Sequence, residues 1–185
     1  MPRTPDKNLE QRILNAARRL CHMRGGRGLT LRAVARAAGT TTPTVYKRFR
    51  NKAALRLALA RQIREELLER IFSAPQIEQF YRRYIQFSEE NPEDYEILRE
   101  TWTEIFAPSG GRPGMNQALS ELAKRFGGKS EEYMPVFYAL FLLCHGAATL
   151  LGVPGSEAVR TEIREQCIGV CDRLIQHVDT LRSAE

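Results

Sequence analysis

Apolar residues recur along this chain at intervals of three and four, the period of a helix with one buried face, and no run alternates as a half-buried strand would. Leu9, Ile13, Ala16, Ala17, Leu20 and Cys21 mark a first amphipathic helix, stopped by Gly25-Gly26. Thr30 is placed to cap a short second helix, Leu31 to Ala38, which Gly39 ends. Thr40, Thr41 and Thr42 offer the cap of a third. Pro43 falls in its first turn, where a missing N–H costs nothing. From Asn51 a long helix is predicted toward Ser73, with Leu55, Leu59, Ile63, Leu67 and Ile71 spaced four apart.

The pattern stays helical beyond Pro75. Gln76 to Glu90 gathers Phe80, Tyr81, Tyr84 and Phe87 on one broad face. Asn91-Pro92-Glu93-Asp94 combines a cap, an early proline and acids at the positive end of the helix dipole, and starts a helix carrying Tyr95, Leu98, Trp102 and Phe106. A loop over Ala107 to Gly114 and a helix from Met115 to Phe126 follow. An apolar helix then runs through Leu151, and a last helix from Ser156 to about Leu181 repeats apolar residues at 159, 163, 167, 170, 174, 178 and 181. That spacing is close to a coiled-coil seam. The expectation is an all-α chain of about nine helices. Two helical domains are expected, residues 8–68 and residues 69–185, with Met1 to Lys7 as an arm.

Charge sharpens this division. Residues 1–64 hold 16 Lys and Arg against two acids, a net of +14, while residues 65–185 hold 12 against 20, a net of −8. A basic third on an acidic remainder suits a polyanion-binding module attached to something else. The four cysteines, 21, 144, 167 and 171, make no disulfide framework, so a cytoplasmic protein with reduced thiols is expected.

Two short helices joined by Gly39 and a threonine-rich turn form a helix-turn-helix pattern, and small Ala33, Val34, Ala35, Ala37 and Ala38 let them cross closely. In such a motif the start of the second helix enters the major groove. Thr41, Thr42 and Thr44 are then expected at base edges or nearby phosphates, with Tyr46, Lys47, Arg48 and Lys52 on phosphate. The residues Ile13-Leu14-x-Ala16-Ala17, Gly25, Thr30, Val34-Ala35, Ala38-Gly39 and Thr44-Val45-Tyr46-x-x-Phe49-x-x-Lys52 together resemble the N-terminal domain of TetR-family transcriptional regulators.

The resemblance spans Asn8 to Leu68. It implies an all-α homodimer, usually a repressor on a palindromic operator in double-stranded DNA, released when a small-molecule effector enters the C-terminal domain. It also implies that Thr30 caps and meets phosphate. Arg32, Thr41, Thr42, Pro43 and Thr44 would face the groove, and Tyr46 and Lys52 would grip the backbone. Cys21, Pro43 and Arg48 depart from the residues common at those positions, Phe, Gly and His. More faintly, Phe87 to Tyr95 with Cys144-His145-Gly146 resembles a subgroup marked by Trp-His-Gly, with Cys144 in place of the Trp.

Other signals have plainer readings. Ala123 to Ser130 satisfies a relaxed phosphate-loop pattern, but a helix precedes it where a strand is needed, so it reads as a turn between helices. Tyr133 to Ser156 has no charged residue over 24 positions, long enough to cross a bilayer. With the seam beside it, a four-helix dimer interface is the simpler reading, using Phe141, Ala148, Ile163, Cys167, Val170, Leu174 and Val178, and no membrane. Phe80, Tyr84, Phe87, Trp102, Phe106 and His145 are the candidate effector pocket. Cys167 and Cys171, with Cys144-His145 on the preceding helix, could hold a metal or act as a redox switch, but core packing is favoured and no metal or cofactor is expected. Glu96, Glu100 and Glu104 read as a solvated ladder. No nucleophile, base and orienter stand together, so no enzyme is expected. Competing readings are a membrane-tethered DNA-binding protein, a nucleotide-dependent enzyme and a DNA-organising protein without effector control.

Overall fold

The structure, a computed structural model, describes residues 8–24, 28–74, 76–105 and 112–182. The N-terminal arm, the stop at Gly25-Gly26 and the 107–111 part of the expected loop lie outside the described residues, as do Phe106 and the side chain of Trp102. Among the described residues there is no strand. Ten α-helices are found, α1 (Leu9–Arg24), α2 (Leu31–Ala37), α3 (Thr42–Arg48), α4 (Lys52–Ile71), α5 (Ile77–Glu90), α6 (Pro92–Ile105), α7 (Pro113–Phe126), α8 (Met134–Leu151), α9 (Glu157–Gln176) and α10 (Val178–Leu181). A 3₁₀ turn, Ser130–Tyr133, leads into α8.

The helix starts are chemical. Thr30, Asn51 and Ser156 each accept the N–H three residues on, so one orphan donor of α2, α4 and α9 is satisfied by a side chain. Gly39, at φ 63°, makes the turn between α2 and α3 in a backbone region that an L side chain enters only with strain. The final helix expected to reach Leu181 breaks at His177, whose carbonyl is taken by both the N–H and the hydroxyl of Thr180. The phosphate-loop-like stretch is a turn: Gly127 and Gly128 both have positive φ, and the buried Tyr133 donates its hydroxyl hydrogen to Gly127 O at 2.5 Å.

The first three helices wrap a core of Ile13, Leu29, Val34 and Val45, to which α4 adds Leu55 and Leu59. Helix α4 is the joint of the molecule. It packs on α1 on one side and on α5 and α6 on the other, and it runs past Leu68 to Ile71. Helix α5 in turn lies on α8 and α9, which pack along each other. Apolar α8 buries Val136, Leu140, Cys144, Ala147, Ala148 and Leu151 and leaves Leu142, Leu143 and Leu150 exposed.

Candidate functional site

The surface expected to face DNA is built on α3. Thr41 caps it: its hydroxyl accepts from Thr44 N at 3.4 Å and lies 2.7 Å from the Thr44 hydroxyl. Two of the threonines expected at base edges therefore also hold each other, which fixes the first turn of the helix. Pro43 sits in that turn, and Val45 and Phe49 anchor it to the core. Tyr46 (55% exposed), Lys47 and Arg48 project outward, as do Arg32 on α2, Thr30 at its cap, and Lys52 at the start of α4. Thr42 and Thr44 are half-buried. Arg48 Nη1 lies 3.4 Å from Glu10 on α1, an exposed pair worth little in water. All ten predicted DNA-facing residues lie around this one motif.

A charged clasp joins this motif to α6, and no short-range pattern marks it. Asp94 is 1% exposed. Arg18 of α1 donates to it from Nε at 3.0 and 3.1 Å and from Nη2 at 2.5 Å, while Arg18 Nη1 reaches Glu66 of α4 at 2.8 Å. His22 Nε2 lies 2.7 Å from the other Asp94 oxygen. Donation to Asp94 raises the Arg18 pKa, against the opposing cost of its partial burial. Arg56 of α4 pairs with Glu100 of α6, and Arg70 of α4 with Glu90 of α5 at 2.7 Å. Glu100 is thus engaged rather than only solvated, as is Glu96, on Arg99 at 2.6 Å.

Below α4 lies an apolar cavity of about 130 Å³. Arg64, Leu67, Leu68 and Ile71 of α4 form one wall; Phe80, Tyr81 and Tyr84 of α5, Met115 and Leu122 of α7, and Phe137, Leu140, Phe141 and Cys144 of α8 form the others. Of the predicted pocket residues, Phe80 and Tyr84 line it. Phe87 is buried but does not, because it falls on another part of the broad α5 face. His145 stands behind the wall, stacked on Phe141 with ring centroids 5.7 Å apart. The Tyr95 and Tyr84 hydroxyls lie 2.8 and 3.3 Å from its Nδ1. Burial lowers the His145 pKa, aided by the positive charge of Arg99, which favours the neutral ring. Burial raises both tyrosine pKa values, keeping the hydroxyls protonated as donors. A larger, polar cleft of about 880 Å³ between α4, α6 and the end of α8 includes Lys52, Arg56, Glu96, Arg99 and Glu100.

Part of the seam expected at the dimer interface is buried inside the protomer. Ala148, Cys167 and Val178 are buried in the chain's own core, Phe141 belongs to the cavity, and Ile163, Val170 and Leu174 are partly covered. A regular stripe marks a packed face without saying whose helix it packs on, and here much of it meets α8 and α5. Exposed apolar residues on these helices include Leu142 (62%), Leu143 and Leu150 on α8 and Val159 at the start of the α9 repeat. Ser130–Leu151 is long and apolar enough to cross a membrane by length and composition, with a third of its most apolar window buried.

The three cysteines of this half converge. Cys144, Cys167 and Cys171 are buried free thiols whose sulfurs all lie within 4.8 Å of one another. Donation from Cys144 and Cys171 draws the Cys167 pKa down to about 4, and the Cys144 pKa rises in exchange. For Cys171 the bond with Cys144 acts to lower the value, but donation to Cys167 and burial win, and it is pushed up to about 12.

A helix-turn-helix whose second helix projects basic and hydroxyl side chains, mounted on a helical domain with its own cavity, defines a DNA-binding transcriptional regulator. Residues 13–59 match the family described as bacterial regulatory proteins, tetR family. Over these residues the chain matches that family's N-terminal domain. No curated protein matches the sequence. Among solved structures, the fold is similar to the TetR regulator SCO7222 from Streptomyces coelicolor (TM-score 0.71, 19% identity, 94% of this chain and 99% of that one). It is similar as well to a TetR from Acinetobacter baumannii AYE (TM-score 0.69, 19% identity, 93% and 97%). A third is the multidrug binding protein EbrR complexed with imidazole (TM-score 0.62, 22% identity, 94% and 93%). At these identities the structural likeness establishes the fold.

Proposed function

We propose that the protein is a homodimeric repressor that holds a palindromic operator until a small molecule enters the cavity beneath α4. The span of α4 carries this reading: Lys52 at one end belongs to the DNA-facing surface, and Arg64, Leu67, Leu68 and Ile71 at the other wall the cavity. Two recognition helices must stand about 34–36 Å apart to enter successive major grooves. A ligand that wedges the cavity tilts α4 and changes that spacing. It must bind the DNA-free arrangement better, and DNA and ligand then weaken each other equally.

The lining suggests the effector's chemistry. Phe72, Phe80, Phe137 and Phe141 favour a flat apolar molecule. Arg64 Nε is buried with no hydrogen-bond partner, which favours one carrying an acceptor such as a carboxylate or carbonyl oxygen. EbrR, of the same fold, has been crystallised with imidazole, proflavin and ethidium, so flat aromatic compounds are the first probes. Leu142, Leu143, Leu150 and Val159 give the second copy an apolar face on α8 and α9.

The test is a fluorescence-anisotropy titration on the DNA upstream of the protein's own gene, with scrambled DNA beside it at several salt concentrations. Tighter binding to a palindrome, relieved by an aromatic acid, is the expected result. Equal affinity for both DNAs, or an effector that binds tightly without changing operator affinity, refutes the reading. Flotation of the protein with lipid vesicles would reassign the leucines of α8 to a membrane.

A further inference from the structure

The cysteine cluster stands apart from the regulator reading and rests on its own geometry. Cys167 and Cys171 are four residues apart, on one side of α9. Cys144 meets them from α8, with Cys144 Sγ 4.0 Å from Cys171 Sγ. None is more than 8% exposed. Thiolates bonded at about 2.3 Å to a three-coordinate pyramidal centre stand about 3.4–3.5 Å from one another, so the sulfurs, now within 4.8 Å, close by roughly 1 Å to form a three-sulfur site.

Charge and coordination number select the occupant. Three thiolates carry three negative charges, and an ion of lower charge leaves the excess buried, which is costly. The neighbouring carboxylate, Asp172, adds negative charge and is already held by Arg82 at 2.7 Å and by the Tyr81 hydroxyl. Zinc prefers a fourth ligand and would leave the site anionic. A trivalent, thiophilic centre with three bonds makes the cluster neutral. Cys144 also lines the apolar cavity, which gives such a species a way in.

We propose that Cys144, Cys167 and Cys171 form a binding site for a trivalent thiophilic species of the arsenite or antimonite class. Arsenite, As(OH)₃, forms three As–S bonds there. Each thiol proton leaves with one hydroxide as water, and no atom changes oxidation state. The bound centre ties α8 to α9 beside the cavity.

Titration of fully reduced, full-length protein with arsenite, followed by native mass spectrometry, tests this. The expected product carries one arsenic per chain and has lost three waters relative to added As(OH)₃, with new sulfur-to-arsenic absorption in the near ultraviolet. Loss of an outer-sphere partner typically costs metal sites roughly 10–100-fold in affinity, and Cys167→Ser, which removes a bonded sulfur, should cost at least the upper figure. Cys21→Ser, at the one cysteine outside the cluster, should bind like the parent. Circular dichroism of Cys167→Ser confirms that the variant is folded. No uptake by the reduced protein, a product retaining an As–OH, unchanged affinity in Cys167→Ser, or tighter binding of zinc than of arsenite would each overturn the proposal.

Discussion

Replacing Asp94 by Asn keeps the side-chain shape but removes the charge that joins α1 to α6. Asp94 is 1% exposed and faces both the Arg18 guanidinium and His22. Removing one partner of a buried pair costs about 3–5 kcal/mol, because the other charge is left without compensation. Here Arg18 is 23% exposed and keeps Glu66, so the cost should fall lower, at about 2–3 kcal/mol. For a chain of this length each kcal/mol moves the melting temperature by about 2–4 °C, giving a drop of about 5–10 °C. Urea and thermal unfolding followed by helical circular dichroism would measure it. Arg18→Gln completes a double-mutant cycle whose coupling should reach about 1–3 kcal/mol. Asp94→Asn within about 0.5 kcal/mol of the parent, the range of an ordinary surface change, would refute the clasp, as would additive single effects.

Lys47→Ala should weaken binding to all DNA sequences alike and reduce the slope of log affinity against log salt by about one; a loss confined to one sequence would place Lys47 at a base instead. Gly39→Ala has open space for its Cβ but a φ of 63°, so it should cost about 1 kcal/mol in urea unfolding and lower operator affinity by disturbing the α2–α3 turn. The His145 pKa lies below its ordinary 6.5, so as pH falls the unfolded chain takes up the proton before the folded one does. Stability from this group is complete above about 6.5 and is lost as the pH drops toward and below the folded value. His145→Gln should flatten that limb of the curve of melting temperature against pH, and an unchanged limb would refute the assignment.

What the sequence made legible was local. Caps at Thr30, Asn51 and Ser156, the glycine turn at 39 and the four-residue apolar repeat of α4 each act within a few residues, where backbone chemistry decides the outcome. That the residues expected to face DNA cluster together is legible for the same reason, since they lie within two short helices and their flanks. The clasp is not. Arg18 and Asp94 are 76 positions apart, and neither sits in a spacing that signals a partner. The α9 seam was visible as a stripe, but periodicity records that a face is buried and not what buries it. Cys167 and Cys171 therefore face α8 of their own chain.

The cavity and the α2–α3 motif are linked by few elements, which would limit how a signal passes under the proposed mechanism. Helix α4 meets both, and it is braced from outside by Arg18–Glu66, Arg56–Glu100 and Arg70–Glu90, each pair joining it to a different helix. Three partly exposed ion pairs on one helix each resist a tilt by a modest amount, so their effect on α4 is collective. Arg18 holds Glu66 and Asp94 at once, so a displacement of α4 relative to α6 must be shared or broken at that guanidinium. On the proposed mechanism, the energy an effector would have to supply is therefore set as much by this partly buried network of charge as by the apolar walls of the cavity.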